Sequence, residues 1–306
     1  MLAFVFPGQG SQQIGMGADL FEANDLARTF YDRANEVLGF DLQKISFEGP
    51  EETLKQTRVT QPALFVHSVI VDRLLKQKGF QPEIVAGHSL GEYSAVVSAG
   101  VLNFEDALRL VKLRGELMQH AGEKQPGAMA AVIGLPEEAV QEVCDEASSA
   151  GVVVPANFNS PAQIVISGSA EGVHRAMELA KARGAKRTVE LVVSGAFHSP
   201  LMADAVEELR AALEKSDFRI PKIPIVPNVT AQATSDPQEI RLQLVRQLTR
   251  PVRWVESVRA MIAKGTVRFY EVGAGRVLTG LIKRIDRRVP CTPVGTLQDL
   301  EKAVLP

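Results

Sequence analysis

Cysteine is scarce in this chain of 306 residues, in which Cys144 and Cys291 stand apart and form no CxxC pair. Their scarcity excludes a disulfide framework and a cysteine zinc site, and it favours a reducing compartment. Five histidines are present, but none has HExxH or another ligand spacing. We therefore expect no metal and no catalysis that depends on one.

Long apolar runs and a strong excess of one charge are also missing. No uninterrupted apolar stretch approaches the length of a membrane span. The N-terminus lacks the basic residues that precede the apolar core of a signal peptide. The formal net charge of −2 gives no reason to expect nucleic acid as a partner. These features predict a cytoplasmic protein that contacts neither membrane nor nucleic acid, and a monomer is the simplest expectation.

The first glycine-rich turn lacks the spacing of a nucleotide-binding loop. The apolar run LAFVF is followed by PGQGSQQIGMG, which looks like a strand that enters a phosphate-binding turn. The dinucleotide fingerprint requires a third glycine where Gln13 stands, and the Gly-Lys-Ser/Thr of a Walker loop is absent. The turn therefore needs another explanation.

The order of apolar and helical patterns predicts an α/β protein with two parts. Up to about residue 124, strands alternate with helices, which is typical of a mostly parallel sheet covered by helices. Residues 126–193 then follow the order β-α-β-β-α-β, which is ferredoxin-like, and the first pattern resumes after them. We predict a discontinuous α/β domain, residues 1–125 and 194–306, that carries an inserted ferredoxin-like small domain, residues 126–193.

The segment IVAGHSLGEYSAVVSAG contains the most specific chemical motif. Residues 87–91 form G-x-S-x-G, with Ser89 at its centre, between an apolar strand and a helical pattern. A nucleophile elbow requires this context, because flanking glycines permit the tight turn that projects the hydroxyl above the sheet. The helix that follows directs free N–H groups toward the reacting oxygen. The motif predicts a nucleophilic serine; a plain Gly-Ser turn that caps a helix is the alternative.

A base for this serine follows by elimination among the histidines. His198 lies in the loop-like stretch VSGAFHSPLM, whereas His88 adjoins the serine and should point away from it. His67 falls in an apolar helical pattern and is typical of a core residue with satisfied hydrogen bonds. His120 and His174 lie on polar helical stretches. We predict His198 as the base, and no acid that would complete a triad is evident.

Arg114 falls in the middle of the apolar face of the predicted helix FEDALRLVKLRGELM. An arginine there is costly unless an anion pairs with it. One interpretation is a structural salt bridge. The other is a planar fork that binds a substrate carboxylate through two hydrogen bonds. Together with a nucleophilic serine, the second interpretation predicts acyl transfer from a substrate that carries its own free carboxylate.

Segments spread from residue 3 to about residue 288 resemble one enzyme family. Among them are FVFPGQGSQ, TQPALF, GHSLGEYSA, NFNSPAQIVISG, SGAFHSPLM, RQLTRPVRW and YEVGAGRVLTGLIKR. In this order they resemble the malonyl-CoA:acyl carrier protein transacylases, the loading enzymes of bacterial type II fatty acid synthesis. The resemblance implies an α/β-hydrolase-like core with a ferredoxin-like insert.

The resemblance also implies a role for each matching residue. Ser89 would be the nucleophile and His198 its general base. The backbone carbonyl of Gln247 would orient that histidine, which would explain the missing acid. The backbone N–H groups of Gln9 and Leu90 would form the oxyanion hole.

The reaction implied is ping-pong transfer of malonyl from malonyl-CoA, as a substrate, to the phosphopantetheine thiol of acyl carrier protein, with no metal or other cofactor. Arg114 would bind the malonyl carboxylate, and Phe197 would crowd an α-methyl group, which favours malonyl over methylmalonyl. Because carrier proteins are acidic, the basic stretches 186–187 and 283–288 are candidate docking surfaces, or ordinary solvated faces. A stand-alone acyltransferase that serves a polyketide synthase is the alternative function. A serine esterase fits less well with the missing acid and Arg114.

Overall fold

The computed structural model describes residues 1–305, which contain nine strands. The strands are β1 (Leu2–Phe6), β2 (Ile84–Gly87), β3 (Gly127–Ile133), β4 (Val153–Ser160), β5 (Gln163–Ser169), β6 (Arg187–Glu190), β7 (Ile225–Val226), β8 (Arg268–Val272) and β9 (Cys291–Val294). They form a five-stranded sheet, in the order β7-β2-β1-β8-β9, and a four-stranded sheet, in the order β4-β5-β3-β6. The chain is therefore a mixed α/β protein, as its sequence predicts.

Fourteen α-helices connect these strands within the described residues. They are α1 (Ala18–Ala23), α2 (Asp25–Leu38), α3 (Leu42–Glu48), α4 (Glu51–Leu54), α5 (Thr57–Gln77), α6 (Gly91–Ser98), α7 (Phe104–Lys124), α8 (Glu137–Ala147), α9 (Ala170–Ala182), α10 (Val206–Glu214), α11 (Pro237–Arg246), α12 (Trp254–Ala263), α13 (Val277–Ile285) and α14 (Leu297–Lys302). A 3₁₀ helix, Pro200–Ala205, precedes α10. Within residues 1–305, none of the helices combines the length and the apolar character that crossing a bilayer would require.

Every neighbouring pair in the five-stranded sheet is parallel. β1 lies at its centre and is buried along its whole length, because helices cover both faces. Phe4 and Phe6 pack into a core with α2, α5, α6 and α7, whereas Ala3 and Val5 pack on the opposite face against α12 and α13. Burial on both faces explains why LAFVF is a continuous apolar run rather than an alternating one. The carboxyl ends of β1 and β2 meet at one edge of this sheet.

The four-stranded sheet is antiparallel and follows the predicted order β3-α8-β4-β5-α9-β6. Side chains along β3 alternate between its faces. Ala130 and Val132 pack with α8 and α9, whereas Met129 and Ala131 join the core that also covers the parallel sheet. The N–H of Phe158 donates to the carbonyl of Val252, 2.9 Å away. The sheet therefore lies with its second face against the rest of the molecule.

Candidate active site

Ser89 lies in the sharp turn between β2 and α6, at the carboxyl edge of the parallel sheet. Its φ of 51° is in the left-handed region that a residue with a side chain rarely adopts. A Cβ on Gly87 would overlap the backbone of Gly91, and a Cβ on Gly91 would overlap the carbonyl of Phe6. Both glycines are thus needed for the turn to pack against β1. The plain capping turn is not what forms here, since the Ser89 Oγ bonds His198 Nε2 rather than a backbone N–H of α6.

The structure brings Ser89 and His198 together across 109 residues of sequence. The serine Oγ donates to His198 Nε2 over 2.8 Å, and His198 Nδ1 donates to the backbone carbonyl of Gln247 over 2.7 Å. His198 is only 3% exposed and has a φ of 58°. Burial, followed by the cation of Arg114, lowers the pKa of His198 to about 3. The imidazole is therefore neutral at neutral pH and can accept the serine proton.

Arg114 is completely enclosed on α7, with 1% of its surface exposed. Its Nη1 donates to Gln61 Oε1 over 2.7 Å, and its Nη2 donates to Gln247 Oε1 over 2.8 Å and to Ser89 Oγ over 3.1 Å. All three acceptors are uncharged, and Arg114 forms no salt bridge within residues 1–305. The salt-bridge interpretation of this arginine is therefore wrong. A buried guanidinium without a direct counter-ion lies beside the serine hydroxyl, where an anionic ligand would compensate its charge.

The glycine-rich turn after β1 lies directly against the serine elbow. A Cβ on Gly8 would overlap the carbonyl oxygen of His88, so glycine permits this close approach. Gln9 and Leu90 line the same cavity as Ser89. Among residues 1–305 neither of their backbone N–H groups meets an acceptor. Two free donors at this place are an arrangement that can bind a developing oxyanion.

Four polar side chains of the site escape the sequence analysis: Gln61, Glu92, Asn228 and the amide of Gln247. Asn228 Oδ1 accepts the N–H of Ser89 over 2.7 Å, and the Gln247 amide donates to the Ser89 carbonyl over 3.1 Å. Glu92 Oε2 accepts from Gln247 Nε2 over 2.8 Å and from the N–H of Asn228 over 3.0 Å. Burial raises the pKa of Glu92 to about 7. Its position in the apolar run GEYSAVVSAG is the one signal in the sequence that could have drawn attention to it.

His88, which is partly buried, and His67, which is buried, differ from His198. His88 Nε2 bonds Asn159 Oδ1 over 2.8 Å. Its ring packs edge-on against Trp254, with the two ring centroids 5.6 Å apart. His67 is buried as predicted, but neither ring nitrogen has a hydrogen-bond partner among residues 1–305. The expectation of satisfied hydrogen bonds at His67 is wrong at ordinary hydrogen-bond distances, although Asp19 and the backbone of Gly295 lie close enough to favour the protonated ring. This ring lines a separate cavity of about 500 Å³, together with Asp19 and Arg276.

The cavity above Ser89 has a volume of about 360 Å³. Ser89, His198 and Arg114 contribute its reactive groups, and side chains from the antiparallel sheet and from α13 complete its wall. Within residues 1–305, no group of three or more histidine, cysteine, aspartate or glutamate side chains could hold a metal ion. The chemistry that the cavity offers is therefore that of a serine hydroxyl, a neutral imidazole, a buried guanidinium and two backbone donors.

Comparison with known proteins identifies relatives along nearly the whole chain. The model of the acyl transferase domain family matches residues 3–303. The chain is 45% identical over 304 residues to a malonyl CoA-acyl carrier protein transacylase of Bacillus subtilis, covering 99% of this chain and 96% of that protein. The relative of the same name in Escherichia coli K12 is 48% identical and covers 92% of both chains.

Solved structures agree with these relatives. The malonyl-CoA:acyl carrier protein transacylase of Xanthomonas oryzae pv. oryzae superposes with a TM-score of 0.95 at 48% identity, covering 98% of this chain and 96% of that one. A malonyl-transacylase solved in complex with its type II PKS acyl-carrier protein has a TM-score of 0.96 at 46% identity, covering 99% and 98%. The chain belongs to the acyl transferase domain family and, within it, to the malonyl-CoA:acyl carrier protein transacylases.

Proposed function

We propose that this acyltransferase transfers the malonyl group from malonyl-CoA to the phosphopantetheine thiol of acyl carrier protein, through a malonyl ester of Ser89. One observation carries the choice of acyl group. Arg114 is buried, has no direct counter-ion and donates to the Oγ of Ser89. An acyl group that ends in a carboxylate can therefore form an ester with the serine and pair with the guanidinium in the same cavity.

In the first half of the reaction, Ser89 attacks the thioester carbonyl while His198 Nε2 accepts its proton. The Gln247 carbonyl holds His198 in the tautomer that leaves Nε2 free to accept. The negative charge that develops on the carbonyl oxygen is stabilised by the N–H groups of Gln9 and Leu90. When the tetrahedral intermediate collapses, the C–S bond breaks, the imidazolium returns its proton to the sulfur, and coenzyme A leaves as a thiol.

In the second half, the thiol of the carrier's phosphopantetheine attacks the ester carbonyl. His198 accepts the thiol proton and gives it to the Ser89 oxygen as the C–O bond breaks. The same two backbone donors serve both tetrahedral intermediates. We propose that no metal or other cofactor takes part, since serine, histidine and the two donors account for every proton and electron pair.

We further propose that the parallel sheet forms an α/β-hydrolase-like core, residues 1–125 and 194–306. Residues 126–193 form a ferredoxin-like small domain, which the strand order β4-β5-β3-β6 and the position of α8 and α9 support. The enzyme works as a monomer in the cytoplasm, without nucleic acid or membrane as a partner. The few cysteines and the near-neutral net charge support this proposal.

Helix α13 is the best supported docking surface for an acidic carrier. Val277, Leu278 and Leu281 line the cavity, and the exposed Lys283 and Arg284 follow on the same helix. A carrier held by these cations would have its prosthetic arm close to Ser89.

The transacylase solved with a type II PKS carrier keeps polyketide synthesis as a second candidate pathway, although the relatives as a group favour fatty acid synthesis. A panel of carriers from both pathways, compared by rate of malonyl transfer, distinguishes them.

Mass spectrometry of the intact protein tests the proposed chemistry. After mixing with malonyl-CoA, the wild-type protein should gain the mass of one malonyl group. Ser89→Ala should gain none, because the nucleophile is lost. Ser11→Ala is the matched control, since Ser11 also lines the cavity and its variant should still be malonylated. An adduct on the Ser89→Ala protein would overturn the assignment of the nucleophile.

A further inference from the structure

Glu92 is a buried carboxylate that takes no part in the two acyl-transfer steps. It lies in the first turn of α6, three residues after Ser89, and is completely shielded from solvent. Both of its hydrogen bonds reach Oε2, from the N–H of Asn228 and from Gln247 Nε2. Oε1 has no partner within residues 1–305. An ionised carboxylate with half of its acceptors unused is costly in such a place unless a nearby cation compensates it.

The side-chain amide of Gln247 connects this carboxylate to the buried cation of the site. Its Nε2 donates to Glu92 Oε2 over 2.8 Å, and its Oε1 accepts from Arg114 Nη2 over 2.8 Å. One neutral amide therefore separates the two buried charges. Arg114 forms no salt bridge within the described chain, so Glu92 is its counter-charge through this relay. The amide also fixes the direction of both hydrogen bonds, since only its NH₂ end can donate to the carboxylate.

We propose that Glu92 is the resting counter-charge of Arg114, and that it takes up one proton from solvent when the carboxylate of a substrate pairs with Arg114. The proposal rests on the proposed function, because it needs a carboxylate-bearing acyl group at the guanidinium. Two carboxylates would then share one cation in a region from which water is excluded. Like charges at close range favour protonation of one of them. Glu92 interacts with Arg114 more weakly than a substrate carboxylate in direct contact would, because the contact of Glu92 runs through the Gln247 amide.

The surroundings of Glu92 agree with a single protonation near neutral pH. Of the groups that face it, Arg114 on α7 is the one permanent cation, and Tyr93 on its own helix is neutral because burial raises the pKa of that phenol. Asn228 and Gln247 are uncharged. His198, which contacts Gln247 through the backbone, has a pKa lowered to about 3 and stays neutral. Burial places the pKa of Glu92 at about 7, where a small change in charge alters its protonation.

The proposal fixes the sign of a pH effect. If binding of the anionic acyl group requires proton uptake by Glu92, that binding weakens as pH rises above the pKa of the free carboxyl. The limit is about tenfold per pH unit, because one proton is taken up. An acetyl group, which has no carboxylate, needs no such proton. The ratio of malonyl to acetyl transfer therefore isolates the effect, since the contributions of His198 and of the coenzyme A thiol cancel in it.

The experiment measures kcat/KM for malonyl-CoA and for acetyl-CoA between about pH 6 and about pH 9, and takes their ratio. In the wild-type protein the ratio should fall as pH rises, approaching about tenfold per pH unit. In Glu92→Gln the ratio should be independent of pH. Glu271→Gln is the matched control: Glu271 is also fully buried, but it bonds the N–H groups of Leu278 and Thr279 and should leave the slope unchanged.

A flat ratio in the wild-type protein, or a slope that persists in Glu92→Gln, would overturn the proposal. If Glu92→Gln does not fold, as judged by its thermal unfolding, the wild-type profile and that of Arg114→Ala decide. In Arg114→Ala the ratio of malonyl to acetyl transfer should no longer change with pH, because no guanidinium remains for the two carboxylates to share. The mass measurement separates this outcome from the proposed function. A malonyl adduct together with a flat ratio rejects only the role of Glu92, whereas the absence of any adduct rejects the function itself.

Discussion

The two sheets of this molecule bury different kinds of side chain. The region around the parallel sheet encloses Glu92, Arg114, His198 and Glu271. Of residues 127–190, all of which the structure describes, none that is charged is buried. The core between the antiparallel sheet, α8 and α9 consists of alanine, valine, isoleucine, leucine and one cysteine. Buried charge is thus confined to the part of the fold that holds the serine.

This difference shows where the sequence gives up stability for chemistry. Buried charges and left-handed backbone conformations each cost free energy, and both occur in the same region. Ser89 and His198 have positive φ, and no residue other than glycine between 127 and 190, a segment that is fully described, shares this conformation. The antiparallel part buries the uncharged polar side chains of Asn157, Ser160 and Ser167, but no charge. Substitutions in the two parts should therefore have different consequences.

The largest effect is expected from Arg114→Ala. Loss of the guanidinium should reduce kcat/KM for malonyl transfer. The reduction should correspond to a loss of about 2–5 kcal/mol of transition-state stabilisation, the range for truncating one partner of a buried charge pair. Transfer of acetyl should suffer much less, because acetyl carries no carboxylate. Arg109→Ala on the same helix is the control, since Arg109 is exposed and pairs with Asp106. Equal losses for malonyl and acetyl would contradict a carboxylate-binding role.

Gly91→Ala should damage the elbow itself. The new Cβ would overlap the carbonyl of Phe6, which belongs to the central strand and cannot move away. We expect a loss of about 1–3 kcal/mol in the free energy of unfolding, typical of overpacking, and a loss of both malonyl and acetyl transfer.

Gly280→Ala is the matched control for the elbow. Gly280 lies in α13, and a Cβ there would meet nothing within 4 Å. Alanine should raise stability by up to about 1 kcal/mol at this position. Denaturant unfolding and transfer rates measure both variants. An active and stable Gly91→Ala protein would show that the elbow does not need glycine.

A smaller effect, confined to acid, is expected from His67→Leu. Burial lowers the pKa of His67 to about 4, against about 6.5 in an unfolded chain. Between these values the unfolded state binds the proton more readily, so stability falls as pH falls through about 6.5. The variant should lose less stability on acidification than the wild-type protein. The stability of the variant should still fall somewhat as pH falls, because burial also lowers the pKa values of His88 and His198.

The fluorescence of Trp254, the single tryptophan, can follow this unfolding, because its indole packs against His88 in the parallel-sheet region. His120→Gln is the control, since His120 is exposed on α7. If His67→Leu and wild type lose stability identically between pH 7 and about pH 4, the neutral imidazole of His67 does not contribute.

The smallest effect on catalysis is expected from Ile166→Val in the antiparallel sheet. Ile166 is fully buried against α8 and α9 and contacts no reactive group. Loss of one methylene should cost about 0.5–1.5 kcal/mol of stability. The kcat/KM for malonyl transfer should stay at the wild-type value when both are measured well below the unfolding temperature. A change in the malonyl-to-acetyl ratio would show that packing in this part controls the chemistry.

Much of the fold could be predicted because its signals are local. The alternation of strands and helices, the order β-α-β-β-α-β and the G-x-S-x-G turn depend on residues close in sequence. Helical periodicity alone places Arg114 on the apolar face and predicts its burial, which the structure confirms.

The rest of the site depends on contacts between distant residues. Glu92 meets Gln247 across 155 positions and Asn228 across 136. No periodicity or motif records such contacts, so the polar network and the lack of a salt bridge at Arg114 were out of reach. The unpartnered imidazole of His67 escaped for the same reason. An apolar helical pattern predicts burial, but it does not report which partners the fold supplies.

The wall that the antiparallel sheet adds to the cavity has a consequence for the history of the enzyme. Met129 and Val165 reach the cavity from β3 and β5, yet no strand of that sheet carries the serine, the histidine or the arginine. One part of the cavity wall and the machinery that breaks the thioester are thus encoded in separate stretches of the gene. Substitutions along one strand can change the size of the acyl group admitted while the reaction stays the same. Such a division allows the acyl group that is accepted to change while the catalytic residues stay the same.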